Sequence, residues 1–126
     1  MLARLALGAL LLAGSAASSA RAQRVYVVKW GSGADASPER RALTDQLDRQ
    51  LRDELRRRGA SVVERGVQAI VLKPSLEIFP RALKLNLVGV RDQRLLGTTS
   101  MKAAGSNREA QLRAVVNQAC LEADLF

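Results

Sequence analysis

The longest regular pattern of apolar and polar positions in the chain indicates an amphipathic helix from Ser37 to Gly59. A leucine stands at every fourth position, so one narrow stripe is apolar and the remaining surface is polar. These leucines are Leu43, Leu47, Leu51 and Leu55. Ser37 is a good N-cap because its hydroxyl accepts a hydrogen bond from an early backbone N–H, and Pro38 suits the first helical position. Gly59 predicts the end of the helix, since glycine readily adopts the left-handed conformation that follows a last turn.

Segments rich in β-branched or alternating apolar residues predict about five strands around this helix. They are Arg24–Trp30, Ala60–Glu64, Ala69–Phe79, Leu83–Val90 and Leu95–Ala103. Pro74 interrupts the third strand, which predicts an edge position or a bulge there. Arg91–Arg94 has the length of a hairpin turn, so the last three strands are expected to form an antiparallel meander.

A second helix is predicted near the end of the chain. Ser106 and Glu109 have the spacing of a capping box, in which each side chain satisfies the other's backbone donor. The apolar face that follows is wider than that of the first helix, so this helix should be the more buried. That face comprises Leu112, Val115, Val116, Ala119, Cys120 and Ala123. The order β-α-β-β-β-α predicts an α+β two-layer sandwich, with a mixed sheet and both helices on one face.

The first 22 residues have the pattern of a cleaved secretory signal peptide. Arg4 precedes an apolar run from Leu5 to Ala13, and small residues end at Ala20-Arg21-Ala22. The run is shorter than the roughly 20 residues of a membrane span, and a retained N-terminal anchor is the alternative. We therefore expect a periplasmic or secreted protein, with a single α+β domain from residue 23 to 126 and no transmembrane segment in it.

Charge and cysteine content narrow the range of functions. The chain has 20 Lys and Arg against 12 Asp and Glu; without Arg4 and Arg21, 18 basic residues remain and the net charge is +6. Such a basic surface favours anionic partners. Cys120 is the only cysteine, so an intramolecular disulfide is impossible. Its place on the apolar face of the second helix predicts a buried side chain and not a reactive thiol.

The residue types needed for common catalytic sites are missing. The chain has no histidine, which removes the commonest general base and metal ligand. Asp45, Asp48 and Asp53 each stand four residues before an arginine, the spacing of exposed helical ion pairs. Gly31-Ser-Gly33 has the place of an anion-binding loop but lacks the third glycine or the lysine of the known motifs, which favours a plain connection. We expect no enzyme, no catalytic residues, no metal and no cofactor.

A cluster of arginines is the one candidate binding site. Its members are Arg52, Arg56, Arg57, Arg58 and Arg65. Cations at the end of a helix also complement the helix dipole and aid solubility, so both interpretations stay open. Nucleic acid is not an expected partner, because the chain has few aromatic side chains on which bases stack and carries an export signal.

The order of elements resembles a group of bacterial envelope domains. They are the N-terminal α/β domain of TolB and related domains of curli-secretion and penicillin-binding-protein-activator lipoproteins. The similar segments are VYVVKW leading to RRRG, Val62-Val63-Glu64-Arg65, and the hairpin LVGVRDQRLLG before the last helix. The resemblance implies protein contacts in envelope assemblies and no catalysis.

Two functions remain as hypotheses. The first is a small interaction module that docks on an envelope or secretion protein complex, through the exposed sheet face or the edge at Pro74. The second is a binder of an anionic envelope polymer or lipid, which would use the arginine cluster.

Overall fold

The computed structural model describes residues 24–31 and 37–126, which form one mixed five-stranded sheet and two helices. The elements are β1 (Val25–Val28), α1 (Pro38–Arg57), β2 (Ser61–Val62), β3 (Ile70–Phe79), β4 (Ala82–Arg91), β5 (Arg94–Ala104) and α2 (Arg108–Ala123). The strand order is β2-β1-β3-β4-β5, with β1 parallel to both neighbours and β3 to β5 antiparallel. The predicted α+β fold is confirmed. The predicted signal peptide and Ser32–Ala36 of the first loop lie outside the described residues.

Helix α1 begins and ends where the sequence predicts. The Ser37 hydroxyl accepts a hydrogen bond from the Arg40 N–H at 3.2 Å, and Gly59 follows the last turn with φ 94°. All four stripe leucines are buried. They join the inner face of the sheet and six apolar residues of α2 in one core. With Gln111, α2 has seven buried residues against four in α1, so α2 is the more buried helix, as predicted.

The N-cap of α2 corrects the predicted capping box by one residue. The helix begins at Arg108, and the Asn107 side chain accepts hydrogen bonds from the N–H groups of Glu109 and Ala110 at 3.0 and 3.2 Å. The physical reason is that asparagine caps a helix as well as serine does. Gly105, with φ 148°, turns the chain before Ser106, so the serine lies outside the helix.

Pro74 lies in an inner strand of the sheet, yet on a part of that strand with an open side. β1 pairs only with Ile70–Leu72, so the remainder of β3 has β4 as its one neighbour in the described sheet. The edge prediction is confirmed for this part of β3, whereas a bulge at Pro74 is wrong, because the register shift of the sheet lies between Gly89 and Val90. Arg40 Nη1 donates to the Leu76 carbonyl on this open side at 2.7 Å.

Two features of the β4–β5 pair depend on backbone detail. The hairpin turn has its central residues, Asp92 and Gln93, at φ 53° and 63°, as in the two-residue turns that suit twisted hairpins. Further along, Gly89 faces Gly97, and the Phe126 ring lies against both. A Cβ atom at Gly89 would overlap Phe126 Cδ2, so the glycine pair makes room for the C-terminal ring.

Candidate protein-binding site

Arg52 is placed as a structural residue between α1 and β1. Its Nε donates to both carboxylate oxygens of Asp48 at 3.0 Å, and its Nη2 donates to the Val28 carbonyl at 3.1 Å. Trp30 Nε1 donates to the same Asp48 carboxylate at 2.8 Å, and Glu64 lies 3.5 Å from the Arg52 guanidinium. The side chain is 20% exposed, so little of it faces solvent.

The next three arginines of the cluster are paired with carboxylates of their own helix. Arg57 and Arg58 both bind Glu54, at 2.7 and 3.0 Å, and Arg56 lies 3.5 Å from Asp53. Asp53 was predicted to pair with Arg57, four residues on, but it pairs with Arg56, three residues on. The pKa of the Glu54 carboxyl is lowered, chiefly by the hydrogen bond from Arg57. Burial acts in the opposite direction, and the hydrogen bond from Arg58 lowers the pKa further.

Arg65, unlike the other four arginines, lines a groove on the face of the sheet that the helices leave uncovered. This open groove of about 860 Å³ lies between the loop after β2, the centre of the sheet and the β4–β5 hairpin. We call this the open-face groove. The structure thus divides the predicted cluster between a paired helix end, Arg52 to Arg58, and the groove, Arg65.

The floor of the open-face groove is apolar. Val27, Val71 and Val90 lie on it from three neighbouring strands, each half-buried, and Leu95 at the hairpin is 65% exposed. A solvated face of an antiparallel sheet normally carries polar side chains. A group of solvent-facing apolar side chains with charges around it makes this groove a candidate contact site.

The rim of the open-face groove is basic. Lys29, Arg65 and Lys73 line it together with the carboxylates Glu64 and Asp92. Across residues 24–31 and 37–126, none of the three cations has a carboxylate within 4.0 Å. Glu64 already lies against Arg52. The rim therefore carries three cations that make no ion pair within the described residues, together with Asp92, around an apolar floor.

The other end of the same sheet face is polar and internally satisfied. Asn86 donates to Glu77 at 2.9 Å and accepts from the Ser100 hydroxyl at 2.7 Å. Lys84 lies 3.7 Å from Glu77, and Lys102 stands 5.0 Å from the centre of the Phe79 ring. The groove is therefore the apolar end of this sheet face. The alternation of residues within each strand did not reveal this end, because it forms only when β1, β3 and β4 lie side by side.

The described part of the chain offers little reactive chemistry. Cys120 is buried, and burial raises the pKa of its thiol to about 12, so it is protonated near neutral pH. Within the described ranges, no group of three or more carboxylate or cysteine side chains is arranged to hold a metal ion. Neither described helix has the length and hydropathy needed to cross a membrane.

Comparison with known proteins adds information on the fold. No protein-family model matches the sequence, and no curated protein matches it. The structure is similar to PelC from Paraburkholderia phytofirmans, solved as a dodecamer, with 11% identity over 83% of this chain and 87% of PelC, at a TM-score of 0.51.

Two further solved structures are more distant. Protein XCC0632 from Xanthomonas campestris is 16% identical over 82% of this chain and 80% of its own, at a TM-score of 0.48. Rare lipoprotein B from Shewanella oneidensis is 15% identical over 78% of this chain and 87% of its own, at a TM-score of 0.35. At these identities the match to PelC shows a shared fold, and the finer resemblance to TolB stays a prediction.

Proposed function

We propose that the chain is a small non-catalytic interaction module of a bacterial envelope or secretion assembly, which binds a protein partner in the open-face groove. The observation that carries the proposal is the apolar floor of Val27, Val71, Val90 and Leu95 on a sheet face that neither helix covers. Burying such a patch against a partner removes apolar surface from water, which is the dominant favourable term in most protein association.

The charges of the rim define the chemistry of the partner. Lys29, Arg65 and Lys73 have no carboxylate partner in the described residues, so an incoming segment that carries acidic side chains beside apolar ones complements the groove. The apolar floor supplies affinity, and the rim cations favour an acidic partner over a basic one.

The place of action follows from the sequence and the fold together. The N-terminal pattern predicts export to the periplasm or beyond. The described residues share their fold with PelC, a protein that was solved as a dodecamer. The N-terminal pattern supports a setting outside the cytoplasm, and the dodecamer of a protein with the same fold supports an assembly.

The alternative function, binding of an anionic envelope polymer or lipid through the arginine cluster, has less support. Arg57 and Arg58 share Glu54, and Arg52 is held by Asp48. An anion that bound these guanidinium groups would have to compete with the carboxylates they already contact. A second source of positive charge, the groove rim, is free of that competition within the described residues.

Affinity capture with matched variants tests the proposal. Leu95→Asp places a charge on the exposed part of the groove floor, and Lys73→Glu reverses one rim charge. Arg41→Glu reverses an exposed charge on α1 and serves as the control. Each protein is immobilised, incubated with envelope extract and washed, and the bound proteins are identified by mass spectrometry.

We expect one set of proteins to be retained by the parent chain and by Arg41→Glu but lost with both groove variants. The strongest retained protein is then purified and titrated with the parent chain and each variant. Retention that is equal for all four chains, or loss with Arg41→Glu as well, would show that the groove is not the contact site. Circular dichroism confirms that each variant is folded.

A further inference from the structure

The free edge of β5 has backbone groups that face outward. The Gly105 N–H donates to the Arg81 carbonyl at 2.9 Å, at the end of the β4–β5 pair. Neighbouring residues of a strand direct their backbone groups to opposite sides, so Thr99 and Met101 also bond to β4. Thr98, Ser100 and Lys102 therefore direct their N–H and C=O groups away from the sheet.

The other edges of the sheet are protected, whereas between Thr98 and Lys102 this edge carries one charge, Lys102, and no proline. β2 has only two residues, and the open side of β3 is closed by Pro74, which has no N–H, and by the hydrogen bond from Arg40 to Leu76. β5 has 11 residues and lies at the end of the strand order. From Thr98 to Met101 it has no charge and no proline, and the described residues place no element on its free side.

We propose that two copies of this chain pair through their β5 edges, antiparallel about a two-fold axis at Ser100, and so join two five-stranded sheets into one. In this register Ser100 faces Ser100, and Thr98 faces Lys102 of the other copy. All three outward residues of each copy then both donate and accept backbone hydrogen bonds. The open-face groove stays uncovered, because it shares no lining residue with this part of β5.

Charge and strand geometry select this register. If the two-fold axis lay at Met101, Lys102 would face Ser100 of the other copy. The two Lys102 side chains would then be diagonal neighbours about 7 to 8 Å apart, and like charges that close are unfavourable. If the axis lay at Thr99, Leu96 would face Lys102 of the other copy. Leu96 lies where the pairing of β5 with β4 is irregular, so its backbone is poorly placed for a second strand. With Ser100 at the centre, neither problem arises.

The position of α2 fits the same arrangement. This helix packs on both β4 and β5, so its axis lies about midway between the two strands. Neighbouring strands are about 4.8 Å apart, so the axis lies about 5 Å from the line midway between the two paired β5 strands. The two copies of α2 would then lie about 10 Å apart, a distance at which helices pack through small side chains. Ala114 and Gln118 line the side of α2 next to β5, and Leu121, 52% exposed, follows Ala114 by two turns.

A cysteine pair tests the register directly. Ser100→Cys would place two thiols on residues that face each other with Cα atoms about 5.5 Å apart, within the range of a disulfide. Thr98→Cys is the matched control, because its two copies would be separated by four residues along the strand, about 13 Å, and could not form a bond. Cys120 is buried, so the new thiol is the reactive one.

We expect mild oxidation to convert Ser100→Cys to a reducible dimer on a gel and to leave Thr98→Cys monomeric. Light scattering of the parent chain should show a dimer, and Thr98→Pro, which removes an outward N–H but no bond to β4, should lower the dimer fraction at least tenfold. A parent chain that stays monomeric up to about 1 mM overturns the pairing. A dimer in which both cysteine variants cross-link alike, or neither does, overturns the register.

Discussion

Cys120 is a buried free thiol on the inner face of α2. The thiol lies among apolar neighbours, and burial raises its pKa from 9.0 to about 12; Arg58 lowers this pKa by less, and Glu54 raises it slightly further. A native thiol of this kind should react hardly at all with an alkylating reagent at pH 8, because the thiolate is the nucleophile. After unfolding in denaturant, the same residue should be labelled completely.

The pKa of Cys120 also sets a pH dependence of stability. Above pH 9 the thiol ionises in the unfolded chain but not in the folded one, so the unfolded state binds fewer protons and the free energy of unfolding falls as pH rises toward 12. Cys120→Ala removes this contribution, so its stability should decline less steeply over that range. Tyr26, whose pKa is raised mainly by burial, titrates in both chains, and only the smaller effect of Cys120 on it differs between them. Equal slopes from urea unfolding at several pH values would contradict the assignment.

At the scale of elements, Arg52 joins α1 to the sheet. It bonds Asp48 on its own helix and the Val28 carbonyl at the end of β1, and Trp30 completes the set through Asp48. Arg52→Gln should lower the free energy of unfolding by about 1 to 3 kcal/mol, since hydrogen bonds to charged groups are lost in a half-buried place. Arg57→Gln is the control: this side chain is 76% exposed, and its loss should destabilise the fold clearly less than the loss of Arg52.

Urea unfolding of the two variants measures this difference, and equal losses would show that Arg52 is no more structural than its neighbours. Arg52 was predicted to form one cluster with the exposed arginines because they are neighbours on the same helix. Helical spacing fixes which side of α1 a residue is on, but Val28 and Glu64 are brought to Arg52 by the pairing of β1 with β2. That pairing is remote in sequence and leaves no periodic signal.

Elements with a strong local signal were predicted well, and those that depend on neighbours were not. The leucine stripe, Ser37 and Gly59 fix α1 through contacts within a few residues, and the hairpin at Asp92 follows from strand alternation on both sides. The start of α2 was displaced by one residue, since Ser106 and Asn107 are both good caps and Gly105 decides between them. The buried Gln111 was missed because a polar side chain at this position is expected in solvent, and only the fold brings it to the Gly105 carbonyl and the Arg108 guanidinium.

At the scale of the whole molecule, the placement of charge separates the two proposed functions. Without residues 1–22 the chain carries a net charge of +6, so it should be retained on a column of sulfated polysaccharide at low salt. The cations that bind the polysaccharide should be those that do not already contact a carboxylate of the chain. Those at the end of α1 contact carboxylates, whereas the groove cations have none within the described residues.

Two triple variants with the same change in net charge distinguish these surfaces. The groove variant is Lys29→Gln, Arg65→Gln and Lys73→Gln, and the helix variant is Arg56→Gln, Arg57→Gln and Arg58→Gln. Arg52 is left intact in both, because its loss would disturb the join between α1 and β1. Because the net charge is matched, any difference in the salt concentration of elution reports on local placement and not on total charge. We expect the groove variant to elute earlier, since its cations are not already paired; earlier elution of the helix variant would instead favour polymer binding at the end of α1.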